Sequence, residues 1–300
     1  MLRSTARGAC RLLLGLFLCG SAAHAEAAEP LSRFEESVVD LPVTLHLRNE
    51  RIVERKMVLT RFKPPGPGPF PVAIVNHGRS SNRSTPNRQR MPSMSNYLLK
   101  KGFVVLVPTR IGYGDSAMLE NSLDPESSGP CTQRDYLGAL RPAVEQIAAT
   151  QAYAATLDYA DARRVLVVGQ SVGGIATVAY AATRPENLLG YVNFAGGAGG
   201  DPILRPGRPC QPELLTAAYA QFGREARQPG LWIYTRNDQY FGPNVSTAWH
   251  QAFIAGGAAA QWLLLPAFNE DGHSLMAEGG FIWHGLLDDF LAQLGLATKP

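Results

Sequence analysis

The chain has 300 residues, 45% of them hydrophobic and 18% charged, with 28 basic against 25 acidic side chains and a formal net charge of +3. Those proportions are ordinary for a globular protein, and no internal repeat interrupts them. The positive excess does not imply a nucleic-acid partner, because it sits in the first few residues.

Arg3, Arg7 and Arg11 precede an apolar run from Leu12 to Cys19, and small residues follow through Ala23-His24-Ala25. A basic start, a short apolar core and an A-x-A ending predict a secretory signal peptide over 1–25, cleaved after Ala25. The apolar run is too short to cross a bilayer, which takes roughly 20 residues. Cleavage removes three arginines and no acidic residue, leaving 25 basic and 25 acidic side chains. About 275 residues then remain as residues 26–300, enough for a single large domain with its own core. Of four cysteines, Cys10 and Cys19 lie in the signal segment. Cys131 and Cys210 are left, and two cysteines in an exported chain are expected to pair.

Residues 26–33 read as an unstructured leader. Val38–Leu47 and Ile52–Phe62 alternate loosely around Arg48-Asn49-Glu50, the pattern of an antiparallel hairpin. The run from Pro64 to Pro69 can hold neither helix nor central strand and predicts a loop. Beyond it, apolar runs recur at Pro71–Val75, Phe103–Val107, Arg164–Val168, Tyr191–Phe194, Leu231–Thr235 and Gln261–Leu265. Continuous apolar runs of that length fit strands of a parallel sheet buried on both faces. Helical stretches alternate with them at Pro92–Lys101, Gln133–Ala155, Gly173–Thr183, Pro212–Phe222, Pro243–Ala255 and Phe281–Leu294. The expected fold is a doubly wound, mostly parallel α/β sheet with an antiparallel N-terminal edge.

One segment carries chemistry. The strand Val165–Val168 runs into Gly169-Gln170-Ser171-Val172-Gly173, and a small-residue helix begins at once. A G-x-S-x-G at a strand-to-helix turn holds its serine on a strained elbow, clear of the sheet. The helix N-terminus behind it offers N–H groups to a developing oxyanion. The pentapeptide alone is a weak signal; the strand before it and the helix after it make it specific. Ser171 is therefore the expected nucleophile.

In such units the acid and base follow later, in the order Ser, acid, His. His46 and His77 precede the nucleophile, and His250 and His284 fall within helical stretches. His273 stands in a polar loop directly after the Gln261–Leu265 strand, where a base could reach Ser171. Asp238 follows the preceding strand and is the expected partner of His273; Asp271 and Glu270 are rivals from the histidine's own loop. A second oxyanion donor is expected from the loop after the first core strand, Asn76-His77-Gly78-Arg79-Ser80. The backbone N–H of Arg79 would pair with that of Val172, leaving His77 a structural part.

These elements resemble α/β hydrolases of the dienelactone-hydrolase and carboxylesterase group. The resemblance rests on His77-Gly78, on Arg110-Ile111-Gly112-Tyr113-Gly114-Asp115-Ser116, on the Ser171 elbow and on Asp238 and His273, and it extends from about Val72 to the C-terminus. It implies hydrolysis of esters, lactones or related acyl bonds without a cofactor. Dienelactone hydrolases resemble cysteine enzymes at the elbow, whereas this chain has serine, so their substrate is not carried over.

Specificity has fewer markers. Arg79, Arg83, Arg88 and Arg90 crowd one loop and Arg110 begins another, either as a solvated basic surface or as a site for a substrate carboxylate. Arg110, Tyr113, Tyr240 and Phe241 are candidates for substrate contact. The glycine-rich stretch from Ala195 predicts a flexible excursion over about 195–225, where a lid could sit. The leading expectation is a serine carboxylesterase acting on a small-molecule ester. An acyltransferase or peptidase with the same triad, or a non-catalytic binding protein on the same scaffold, are the alternatives. No metal or cofactor motif is apparent, and the oligomeric state is left open.

Overall fold

The structure, a computed structural model, describes residues 1, 31–48, 50–80, 82–117 and 129–296. Apart from Met1, the expected signal peptide lies outside the described residues. Part of the expected leader is ordered: Leu31–Arg33 forms a 3-10 turn, and Leu31 is buried in the core.

Eight strands form one sheet: β1 (Glu35–His46), β2 (Ile52–Lys63), β3 (Phe70–Asn76), β4 (Val104–Thr109), β5 (Ala160–Gln170), β6 (Leu188–Phe194), β7 (Gly230–Thr235) and β8 (Ala260–Leu265). Their order is β1-β2-β4-β3-β5-β6-β7-β8. The β1–β2 hairpin is antiparallel, as is β2 against β4, and the remaining pairs are parallel. The helices are α1 (Pro92–Lys100), α2 (Tyr136–Ala154), α3 (Val172–Ala181), α4 (Pro212–Glu225), α5 (Pro243–Ala255), α6 (Leu275–Glu278) and α7 (Gly280–Gln293). α1, α4 and α5 each begin on a proline, whose missing N–H and fixed φ suit the first turn. α2 begins later than expected because Asp135 caps it, its side chain accepting from the Gly138 N–H at 2.9 Å.

The apolar runs divide by the strand period of two. Val72, Ile74, Val104, Leu106, Val165 and Val167 face α2, α3, α4 and α5 in one core layer. Their neighbours Ala73, Val75, Val105, Val107, Leu166 and Val168 face α1 and α7 in the other. Burial on both faces is what a parallel sheet wrapped by crossover helices requires. β8, at the sheet's edge, is the exception and stays half-exposed.

The excursion at 195–225 differs from the expectation. Residues 195–200 are buried, and 212–225 is the core helix α4, so only 201–209 leaves the body. The glycines there serve close packing: a Cβ on Gly196 would lie 2.0 Å from Asn193 Oδ1. A disulfide joins Cys210 to Cys131, across 79 residues and with Cα atoms 5.0 Å apart. The contact is reinforced by the Arg134 N–H, which donates to Gln211 Oε1 at 2.7 Å, and by the Tyr136 hydroxyl, which donates to the Cys210 carbonyl at 2.5 Å.

The basic loop is also partly structural. Glu36 on β1 accepts from Arg88 at 2.6 Å and from Arg90 through a bidentate pair at 2.8 and 2.6 Å. Burial alone would raise the Glu36 carboxyl, but the bonds from Arg90 and Arg88 outweigh it and hold it below the usual carboxylate value.

Two outcomes follow for stability. In the chain-entropy model a loop of this length is worth up to about 4 kcal/mol, so reduction should lower Tm by as much as about 10 °C in a calorimetric scan. Glu36, depressed on folding, stabilises the protein above its ordinary value of 4.5, and that contribution is lost as pH falls from there through the lower folded value. The difference in urea midpoint between wild type and Glu36→Gln should therefore be present at pH 7 and shrink below pH 4.5. A difference constant with pH would contradict the pairing.

Candidate active site

The parallel strands end level with one another. Asn76 of β3 lies beside Gly169 of β5, Gln170 beside Phe194 of β6, Phe194 beside Ile233 of β7, and Thr235 of β7 beside Leu265 of β8. The loops leaving these ends, at 77–80 with 82–91, at 171, at 236–242 and at 266–274, converge on one edge. Such an edge is where open α/β sheets bind ligands.

Ser171 sits between β5 and α3 with φ 56° and ψ −122°. A serine tolerates positive φ only where its surroundings enforce it. The Ser171 N–H donates to the Phe194 carbonyl at 2.9 Å, and the Ser171 carbonyl accepts from Gly174, Ile175 and Gly197 at 2.9, 3.1 and 3.1 Å. Gly173 allows α3 to start against the β3 loop, since a Cβ there would lie 2.4 Å from the Asn76 carbonyl oxygen and 2.5 Å from that of His77. Ser171 is only 6% exposed, yet it lines a cavity of about 270 Å³ together with Gly78, Arg79, Tyr240, Phe241 and His273.

His273 belongs to a 3-10 turn, Gly272–Ser274. Its Nδ1 is 2.9 Å from Asp238 Oδ2. The Asp238 side chain is fully buried, and its other oxygen accepts from the backbone N–H groups of Tyr240 and Phe241 at 2.8 and 2.9 Å. Both oxygens of this carboxylate are thus engaged, which compensates its burial. Asp271, the rival acid, has another use. Its Oδ1 accepts from the backbone N–H of His273 at 3.0 Å and of Gln239 at 2.9 Å, capping the turn. Glu270 is exposed. Tyr240 stacks on the imidazole of His273 at 4.2 Å between centroids, and Phe241 meets it edge-on at 5.4 Å.

Two residues with structural roles here carried no signal in the sequence beyond their positions beside the motifs. The Gln170 amide donates to the His273 carbonyl at 2.8 Å, joining the elbow to the histidine loop. Asn237 staples the β7 and β8 loops, donating to the Phe268 and Asn269 carbonyls and accepting from the Phe268 N–H.

Two candidates for substrate contact are placed elsewhere. Arg110 and Tyr113 are 3% and 1% exposed and do not line the cavity. Arg110 lies behind the β3 loop: its guanidinium donates to the carbonyls of His77 and Gly78, the latter at 3.1 Å. Tyr113 packs its ring edge-on against His77 at 4.8 Å. Arg110 is drawn inward because the carbonyls of His77 and Gly78 need donors, while Tyr113 packs on the His77 ring. Tyr240 and Phe241 do line the cavity, although Phe241 also packs on Trp249 in the core. Of the four arginines in the β3 loop, Arg79 lines the cavity; its side chain bonds Tyr240 and its charge acts on Asp201. His77 is neutral, because burial and the neighbouring Arg110 hold its pKa well below the ordinary value.

This chain belongs to the alpha/beta hydrolase family, whose family model matches residues 77–297. Among solved structures it is similar to a protein assigned as a dienelactone hydrolase from Klebsiella pneumoniae, at 18% identity and TM-score 0.53, covering 86% of this chain and 99% of that one. It is also similar to the Pyrococcus furiosus esterase Pf2001, at 14% identity and TM-score 0.57, covering 88% and 93%. A third likeness, to the acylaminoacyl peptidase of Pyrococcus horikoshii at 14% identity and TM-score 0.59, covers 89% of this chain and 42% of that one. A search of curated proteins finds no match. Identities this low establish a shared fold.

The geometry separates the two aspartates. Asp238→Asn should lower kcat for hydrolysis by about 10³–10⁴, as loss of a carboxylate that orients the base does elsewhere. Asp271→Asn keeps a side-chain oxygen that still accepts both capping bonds, and should leave kcat and stability nearly unchanged. Steady-state kinetics beside a denaturation curve checks both, and reversed effects would show that the turn supplies its own acid.

Proposed function

We propose that the protein is an exported serine carboxylesterase. In this reading Ser171 attacks the acyl carbon, His273 takes its proton and returns it to the leaving alcohol, and Asp238 holds the imidazole in the required tautomer. The backbone N–H groups of Arg79 and Val172 bind the oxyanion. Water, activated by His273, then releases the acyl group.

The observation that carries the proposal is the strained Ser171 elbow sharing a cavity with a histidine whose Nδ1 faces a buried aspartate. Strain of this kind persists where the surroundings over-determine it, and it clusters at reacting centres. The first N–H groups of α3 have no partner within the helix, which leaves the Val172 N–H suited to an oxyanion. The cavity, about 270 Å³, falls at the small end of ligand sites and favours short acyl groups. The Cys131–Cys210 disulfide favours an oxidising, exported compartment, such as the periplasm or the exterior. No helix among the described residues is long and apolar enough to cross a membrane.

A panel of p-nitrophenyl esters tests the reading, with turnover expected on acetate and butyrate and falling steeply for long chains. Ser171→Ala should abolish turnover with an unchanged melting curve. A fluorophosphonate should label wild type at Ser171 alone. Labelling at another residue, or undiminished turnover in the variant, would overturn the assignment.

A further inference from the structure

We propose that Arg110 is a positioning residue that holds the Gly78–Arg79 peptide in the orientation the oxyanion needs. This rests on the serine-esterase reading above and deepens it.

A guanidinium that is 3% exposed belongs among the rarest buried groups, and its charge needs an explanation. Among the described residues no carboxylate pairs with Arg110. Its Nη1 donates to the His77 carbonyl and its Nη2 to the Gly78 carbonyl at 3.1 Å, so the fork spans two successive peptides. The Tyr113 ring lies beneath it at 5.1 Å. The clamp is itself fixed. The Arg110 backbone N–H donates to His77 Nε2 at 3.0 Å, which places the ring proton on Nδ1, from where it is donated to the Gly78 carbonyl at 2.7 Å. The next N–H, of Ile111, donates at 2.8 Å to Gln146 of α2, a side chain with no exposure.

The Gly78 carbonyl therefore accepts from two donors, one of them charged. It belongs to the same peptide as the Arg79 N–H, and that peptide is trans. In a trans peptide the N–H points opposite to the C=O. With the carbonyl held toward Arg110, the Arg79 N–H is directed to the other side, where Gly78 meets Ser171; a Cβ on Gly78 would lie 3.1 Å from Ser171 Cβ. Donors on a carbonyl also polarise its amide, so the N–H becomes a stronger donor. The guanidinium, itself buried, adds a fixed positive charge behind the group on which negative charge develops. These effects act on the tetrahedral intermediate and not on the neutral ester, so they belong in kcat.

The test compares wild type, Arg110→Lys and Arg110→Met on p-nitrophenyl butyrate. Each is also titrated with an aryl trifluoromethyl ketone, to which Ser171 adds to give an anionic hemiketal. Arg110→Met should lose about 10²-fold in kcat, the effect of losing one oxyanion donor, with KM within about threefold. Affinity for the ketone should fall in step with kcat/KM. Arg110→Lys keeps the charge but not the fork, and should fall about tenfold. Added guanidinium should restore part of the rate to Arg110→Ala. If Arg110→Met fails to fold, the lysine variant decides alone. Folded variants with wild-type kcat and ketone affinity, or with losses confined to KM and Tm, would overturn the role of Arg110 while leaving the triad standing. A wild type inert to both ester and ketone, or an active Ser171→Ala, would overturn the esterase reading and this inference together.

Discussion

The start of α3 rests directly on the carbonyls of Asn76 and His77, and the space for a side chain at Gly173 is taken by those two oxygens. That contact sets the separation between β5 and the loop leaving β3. It forces the tight turn in which Ser171 takes positive φ, and it brings Gly78 against the serine. With any Cβ at position 173, helix and loop would separate, and the elbow would lose the wall it is pressed against. The proposed nucleophile and both proposed oxyanion donors depend on this single close approach.

On the far side of the cavity, adjacency of strands does equivalent work. β7 and β8 run side by side with Thr235 opposite Leu265, so their loops leave together, and Asn237 bonds one to the other. Two aspartates in this pair of loops then take different tasks. Asp238 is buried and shares its oxygens between the imidazole and two backbone N–H groups; Asp271 spends its bonding on backbone alone. The difference lies in which donors surround each carboxylate rather than in distance along the chain from His273.

Charge follows the same logic of local satisfaction. The arginine-rich loop offers less free charge to a substrate than its composition suggests. Arg88 and Arg90 fasten the loop to β1 through Glu36, and Arg79 engages Tyr240 at the cavity wall. Arg110 turns inward to hold the backbone of the neighbouring loop. The disulfide and the bonds beside it fasten the 201–209 excursion to the start of α2, and glycines that suggest mobility instead allow close packing.

The sequence by itself determined the eight strands, the helices other than the short α6 and the two-faced burial of the sheet, because apolar periodicity and proline-initiated helices are local signals. It also singled out Ser171, His273 and Asp238 as candidates, since chain order decides which loops follow which strands and a strand-to-helix turn with glycines has few structural uses. The directions of side chains were a different matter. That Arg110 and Tyr113 point behind the site, that Gln170 and Asn237 tie its loops together, and that Asp271 caps a turn were decided only in the tertiary structure. Tyr113 follows the packing of His77 and Arg110, and the others depend on backbone groups finding donors and acceptors among the loops that meet there. The same is true of the order of β3 and β4, which are interchanged in the sheet relative to the chain. Periodicity reports which faces of a segment are apolar, whereas the partners of a buried carbonyl are set by packing among segments.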